Sequence, residues 1–248
     1  MAELGPDSWL VPNWPAPPSV RACSTTRIGG VSEAPFDGLN LGEHVGDDPN
    51  SVRDNRRRLR AALGLPSEPL WLRQVHGSRV CDARNVALDT EADASVAFEP
   101  GRVCVVMTAD CMPVLFCDRD GTRVGIAHAG WRGLASGVLE ATVHALDCEP
   151  SSLLAWLGPA IGPESFEIGD EVRSAFVDHD SACAGAFVPS PRGRWLADLY
   201  ALARLRLGMV GVRSVFGGGF CTFLDSARFY SYRRDTRTGR MASLIWLA

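Results

Sequence analysis

Nine short apolar runs rich in β-branched residues punctuate the chain, at 20–24, 70–75, 78–82, 103–107, 113–117, 123–127, 153–157, 212–216 and 243–247. Runs of this length and composition, separated by Gly, Pro and Asp, read as strands. Only three segments carry helical signals. Asp48 caps a helix with Pro49 in its first turn and Gly64 as its stop, a pattern that suits a helix start and end. A second helix follows Gly133 through LASGVLEATVHAL, with Leu134, Val138, Ala141 and Ala145 on its apolar side, and Pro150 beyond it. A third spans 196–207 and stops at Gly208. Many strands and few helices, without regular alternation, predict a mixed α/β (α+β) fold. No repeat or linker divides the chain, so residues 1–248 read as one domain, with 1–19 a Pro-rich extended arm.

Composition narrows the functions such a domain can serve. With 248 residues, 46% of them hydrophobic, the chain is large enough for a sizeable core. Twenty-five basic against 29 acidic residues give a net charge of −4, which predicts neither a nucleic-acid nor a membrane partner. Arg53, Arg56, Arg57, Arg58 and Arg60 fall together on the first helix and read as its solvated face. Every basic side chain is Arg; the sequence contains no Lys. That excludes a Schiff-base lysine and a P-loop, while guanidinium forks remain for binding phosphate. The opening segment lacks the pattern of a signal peptide, and Asp110 interrupts the most apolar stretch before it could span a bilayer. The expected location is the cytoplasm. The eight Cys are therefore expected as thiols, with Cys104, Cys117 and Cys148 as small core residues.

Three strings hold the chemistry: RQVHG (Arg73–Gly77), TADC (Thr108–Cys111) and HAGWRG (His128–Gly133). Each puts a metal-capable side chain at the apparent end of a strand, beside Gly or Pro. His76, Cys111 and His128 offer two imidazoles and a thiolate, enough to hold a metal and leave a fourth position open. Their separations of 35 and 17 residues match no CxxC or HExxH pattern, so a metal site and a Cys–His nucleophile–base pair both remain open. His128 leads into a predicted helix start, where backbone amides and Arg132 could hold an anion. His44 lies between Gly42 and Gly46 in a tight turn, and His144 and His179 read as ordinary helix and surface residues. No GxSxG, GxGxxG or HExxH motif is present, which argues against α/β-hydrolase, dinucleotide and zincin chemistry.

Taken in order, RQVHG, TADCMPVLF, AHAGWRG, GPAIGP, FYSYRRD and TGRMASLIWL resemble the YfiH family, also described as laccase-domain or polyphenol-oxidase-like. TTRIGGVS, FDGLNLGEHVGDD and the EADA string at Glu91–Ala94 extend the resemblance from about Arg21 to the C-terminus; Ala97 stands where Thr is common. The resemblance implies a single-domain α/β/β/α layered fold with mixed sheets, related to the cytotoxic necrotizing factor deamidases. It implies that His76, Cys111 and His128 form a catalytic, zinc-binding set. It also implies phosphorolysis of adenosine, inosine and methylthioadenosine with an adenosine deaminase side activity, so that the partners are purine nucleosides and phosphate; a monomer is expected.

For that chemistry Arg27 and Arg132 are the expected phosphate ligands, with Asn40, His44, Arg73 and Gln74 completing the substrate site. Deamination needs a carboxylate to move protons; Asp110 is the nearest in sequence, with Glu43 and Glu164 as alternatives. The same Cys111 and His128 could instead serve a cysteine amidase acting on a peptide-like cell-wall precursor. Copper in place of zinc would suit a two-His, one-Cys site, but five His in total cannot furnish the further copper centres that reduce dioxygen.

Overall fold

The computed structural model describes residues 4–84 and 90–248. Thirteen strands and six helices follow one another along these residues. Strands β1 (Trp9–Leu10) and β2 (Val20–Thr25) precede helix α1 (Pro49–Leu63). Then come β3 (Val80–Asp82), β4 (Ala94–Ala97), β5 (Val103–Thr108), β6 (Met112–Asp118) and β7 (Val124–Ala129). Helices α2 (Trp131–Ala135) and α3 (Val138–Ala145) lead to β8 (Leu153–Leu157), β9 (Glu167–Ile168) and α4 (Asp170–Val177). The chain closes with β10 (Phe187–Pro189), β11 (Trp195–Ala197), α5 (Leu199–Met209), β12 (Ser214–Gly217), α6 (Tyr232–Asp235) and β13 (Met241–Leu247).

Two large sheets stack. One has the order β1-β2-β13-β5 and is antiparallel throughout; the other runs β12-β8-β6-β7-β4-β3, with parallel pairs only at its two edges. Strands β5, β6, β7, β8 and β13 are buried along their whole length, which is why they read as continuous runs in the sequence. In β6, Leu115 and Cys117 turn toward the other sheet, while Val114 and Phe116 turn toward the helices. In β5, Cys104 and Val106 join the layer between the sheets, and Val103 and Val105 pack beneath α1 with Leu59. The layers are therefore α1, four-stranded sheet, six-stranded sheet, then α2 to α5, the α/β/β/α arrangement that the family resemblance implies.

Helix α1 has the expected ends: Asp48 accepts from the Asn50 amide and Gly64 closes it in the left-handed region. Elsewhere the boundaries move for identifiable reasons. The second helix starts earlier, at Trp131, and divides where Gly137 adopts φ 88°. The third starts later, because residues 195–197 pair with β9 and β10 and Asp198 caps at the Ala201 amide. The 70–75 run forms only isolated bridges, Leu70 with Cys104 and Arg73 with Glu91. The N-terminal segment, described from residue 4, is docked as an edge strand: Trp9 pairs with Thr25 and Leu10 with Ser24. Among the described residues no helix is long and apolar enough to cross a membrane.

Candidate active site and metal centre

The β5–β6 connection is three residues long and crosses from one large sheet to the other. It carries Asp110, in the left-handed region at φ 89°, and Cys111. β6 pairs with β7, setting Pro113 opposite His128 and so bringing Cys111 and His128 together at one end of the sheet. His76 arrives from the loop before β3, itself at φ 61°. That backbone is held by Asp93, at the entry to β4: its carboxylate accepts from the amides of Val75 at 3.2 Å, His76 at 2.9 Å and Gly77 at 2.7 Å. Three consecutive amides converging on one buried carboxylate offset the cost of the strained turn.

Asp93 also accepts a 2.8 Å hydrogen bond from His128 Nδ1. With Nδ1 committed, Nε2 is the nitrogen left to face the site, and a carboxylate behind an imidazole is how metal-ligating histidines are oriented. One side chain thus positions both histidines. Cys111 Sγ lies 3.8 Å from His76 Nε2, and the ligand atoms of His76, Cys111 and His128 all fall within 4.8 Å of one another. Bonds of about 2.0–2.3 Å to one metal require these atoms to close by roughly 1 Å. The donor set and its carboxylate backing fit a single N/S-liganded ion with an open coordination position.

Glycines make this packing feasible. A Cβ on Gly130 would sit 2.7 Å from Cys111 Sγ and 3.0 Å from His76 Cδ2, and one on Gly133 would meet the Gly77 carbonyl at 2.9 Å. Electrostatics couple the triad. Burial by itself raises the Cys111 thiol, but His128 and His76 more than offset it and hold the thiol well below its ordinary range. Burial would discharge His128, yet Cys111 and Asp93 hold its proton and raise it. Without a metal, thiolate and imidazolium are the favoured forms. Burial also opposes ionisation of Asp93, but the bonds from His128, Gly77 and Val75 keep it ionised.

The triad lies in a cleft of about 600 Å³. Leu72, Met107, Ile161, Phe166 and Tyr232 give it apolar and aromatic walls, and Arg73, Arg233, Arg240 and His44 give it cationic and imidazole groups. Asp110 lines it too, but both of its oxygens are engaged: Thr222 Oγ1 donates at 2.6 Å and the Arg233 amide at 2.7 Å. Its visible task is to tie the crossover to α6 and to the loop before it. Gln74 also reaches the cleft while clamping β5, donating to the Met107 carbonyl and accepting from its amide.

Several expected site residues lie elsewhere. Arg27 pairs with Asp37 at 2.9 Å and stacks over Tyr230, and Arg132 is exposed over the Trp131 ring; neither lines the cleft. The helix start beside Arg132 is short, α2 being only five residues long, and the arginine is exposed over Trp131. Asn40 is fully buried and acts through the backbone, accepting from the Gly42 and Arg240 amides and donating to Asp47. Arg73 lines the cleft with its charge offset by Glu91 at 2.5 Å. Glu43 pairs with Arg56, and Glu164 borders a separate depression beside Gly217–Gly219.

These features define a class: a layered α/β protein with a metal-capable His–Cys–His triad at the crossover between its two large sheets. The chain belongs to the family described as multi-copper polyphenol oxidoreductase laccase, whose sequence model matches residues 21–248. It is 62% identical to a purine nucleoside phosphorylase of Pseudomonas aeruginosa over 242 residues, covering 97% of this chain and 99% of that one. It is 56% identical to the purine nucleoside phosphorylase YfiH of Escherichia coli over 239 residues, covering 96% and 98%. Among solved structures, a Neisseria meningitidis protein superposes with a TM-score of 0.93 at 50% identity, covering 97% of this chain and 99% of that one. YlmD from Geobacillus stearothermophilus does so with a TM-score of 0.90 at 31% identity, covering 99% and 98%.

Proposed function

We propose that this chain is a zinc-dependent purine nucleoside phosphorylase acting on adenosine, inosine and methylthioadenosine, with adenosine deamination as a side activity, and that it works as a cytoplasmic monomer. The observation that carries the reading is the His76–Cys111–His128 triad, its donor atoms within 4.8 Å, at the base of a cleft walled by aromatic and cationic side chains. His76 Nε2, Cys111 Sγ and His128 Nε2 would hold the ion, with Asp93 orienting both imidazoles. A bound zinc would supply Lewis acidity at its open position.

The chain's own residues account for the rest. Phosphorolysis joins a phosphate oxygen to the sugar C1′ as the C1′–N9 bond breaks; the base leaves with the bonding pair and takes a proton. Phe166 and Tyr232 offer flat faces for a purine, and the cationic wall holds phosphate. The high identity to relatives named purine nucleoside phosphorylase supports this substrate class. Copper fits the donor types, but among the described residues His44 is the one further histidine lining the cleft; the donors serve one ion, and a multicopper oxidase needs several.

One observation favours a second reading. The thiolate–imidazolium pair of Cys111 and His128 is what a metal-free cysteine amidase would use on a peptide-like substrate. Incubating metal-replete protein with inosine and phosphate separates the two: hypoxanthine and ribose 1-phosphate are expected. Base release without phosphate dependence, or no release at all, refutes the proposal.

A further inference from the structure

Of the three arginines lining the cleft, Arg240 stands apart. Arg73 is offset by Glu91, and both partners are about half exposed or more, at 62% and 46%. Arg233 is exposed and donates Nη1 to the Glu167 carbonyl at 2.7 Å. Arg240 is partly buried, and among the described residues no carboxylate pairs with it. Its Nη1 donates to the carbonyls of Thr238 and Gly239, both at 3.0 Å, while Nε and Nη2 have no protein acceptor among the described residues. A guanidinium in that state presents two free, parallel N–H donors, the fork that matches a tetrahedral oxyanion.

The fork is held in place. The Arg240 amide donates to buried Asn40 Oδ1 at 2.9 Å. The stem lies against Gly42, where an added Cβ would meet Arg240 Cγ at 2.8 Å and Cβ at 3.2 Å. Tyr232 lies beside the guanidinium, 5.9 Å from ring centroid to Cζ. His44 lines the same cleft from the turn after Gly42, and burial together with Arg240 and Arg56 lowers its affinity for a proton. Among the described residues, Asp110 is the one acidic residue lining this cleft, and both of its oxygens already accept hydrogen bonds. Arg240 is therefore a cation of this cleft with no carboxylate paired to it, its charge balanced only at a distance by Cys111 and Asp110.

We infer that Arg240, braced by Gly42 and Asn40 and flanked by His44, forms the oxyanion subsite of this cleft and takes inorganic phosphate. The inference rests on the phosphorolysis reading for why phosphate enters, but not for whether it binds. The orthophosphate dianion accepts from Nε and Nη2, which places it in the same cleft as the triad.

The test is titration of inorganic phosphate into metal-replete protein, read by calorimetry and by phosphate-dependent shift in melting temperature. Arg240→Met is expected to weaken phosphate binding by about 10- to 100-fold, the loss of charge-assisted hydrogen bonds, and Arg240→Lys to recover only part of it. Gly42→Ala, at an unstrained φ of −92°, keeps the charge but displaces the stem; it is expected to raise the phosphate dissociation constant while leaving inosine binding near the wild-type value. Arg27→Gln and Arg132→Gln should bind phosphate as the wild type does. The inference is overturned if Arg240→Met and Gly42→Ala both titrate like wild type, or if wild type takes up no phosphate. Arg240-dependent binding of inosine 5′-monophosphate without binding of free phosphate overturns the choice of ligand. If phosphate binds through Arg240 and inosine is still not cleaved, the subsite stands and the phosphorolysis reading falls.

Discussion

Replacing Asp93 with Asn leaves the shape of the site intact and removes half of its logic. One carboxylate oxygen accepts from the His76 amide at 2.9 Å and His128 Nδ1 at 2.8 Å; the other accepts from Gly77 at 2.7 Å and Val75 at 3.2 Å. Whichever way the amide sits, its NH2 group faces two donors. Two buried donors then lose their acceptor, at about 1–3 kcal/mol each, so Asp93→Asn should destabilise the protein by roughly 3–5 kcal/mol. For a chain of this size, that corresponds to a fall in melting temperature of roughly 10 °C. If the NH2 group turns toward His128, Nδ1 must become an acceptor and the proton moves to Nε2, the nitrogen needed for a metal. Zinc affinity should then fall by about 10- to 100-fold. The assay is differential scanning fluorimetry with competitive zinc titration. A variant that melts within about 2 °C of wild type and binds zinc equally well refutes the positioning role.

Four further outcomes follow from the structure. In metal-stripped protein, Cys111 is lowered to about 6 and His128 raised to about 9. Iodoacetamide should therefore trap Cys111 with a half-maximal rate near pH 6; a midpoint at the ordinary thiol value contradicts the thiolate assignment. By linkage, the thiolate's contribution to apo stability is lost as pH falls through about 6, and the imidazolium's as pH rises through about 9. Between those values the folded site has given up the thiol proton but keeps the imidazolium proton, so the two effects offset and chemical denaturation should show apo stability nearly level across that window; a steep slope there contradicts the paired assignment. Gly130→Ala pushes a methyl to within 2.7 Å of Sγ, so turnover should fall by at least tenfold with little change in melting temperature; unchanged turnover contradicts the contact. Arg206 is 5% exposed and paired with Glu140 across α5 and α3. Arg206→Leu alone should cost about 3 kcal/mol, and the double change Glu140→Leu/Arg206→Leu much less, measured by urea unfolding.

The sequence conveyed most about elements whose signal is local. Asp48, Pro49 and Gly64 delimit α1 because capping is settled within a few residues. Strands buried on both faces announce themselves as continuous apolar runs, and β5, β6, β7, β8 and β13 all lie where such runs predict. Short strands such as β9 and β11 were not legible, since two or three residues carry no period and owe their form to partners far along the chain. His76, Cys111 and His128 could be picked out as residue types at strand ends, but their convergence depends on a sheet crossover that no spacing reveals. Asp93 was visible only as an acid between alanines in EADA; what matters is its contact with His128, 35 residues away. Arg240 was equally hidden, because only the fold shows that among the described residues no carboxylate pairs with it. Arg27 and Arg132, chosen for their neighbours in sequence, are turned away by contacts with Asp37 and Trp131.

The central claim is that His76, Cys111 and His128 hold one metal ion that the activity requires. Metal content of freshly purified protein, measured beside Cys111→Ala and with inosine phosphorolysis followed on the same samples, addresses it directly. The account predicts about one zinc per wild-type chain, with both the zinc and hypoxanthine release lost in Cys111→Ala. Metal-free wild type that cleaves inosine at full rate, or a Cys111→Ala variant that keeps both zinc and activity, would contradict it.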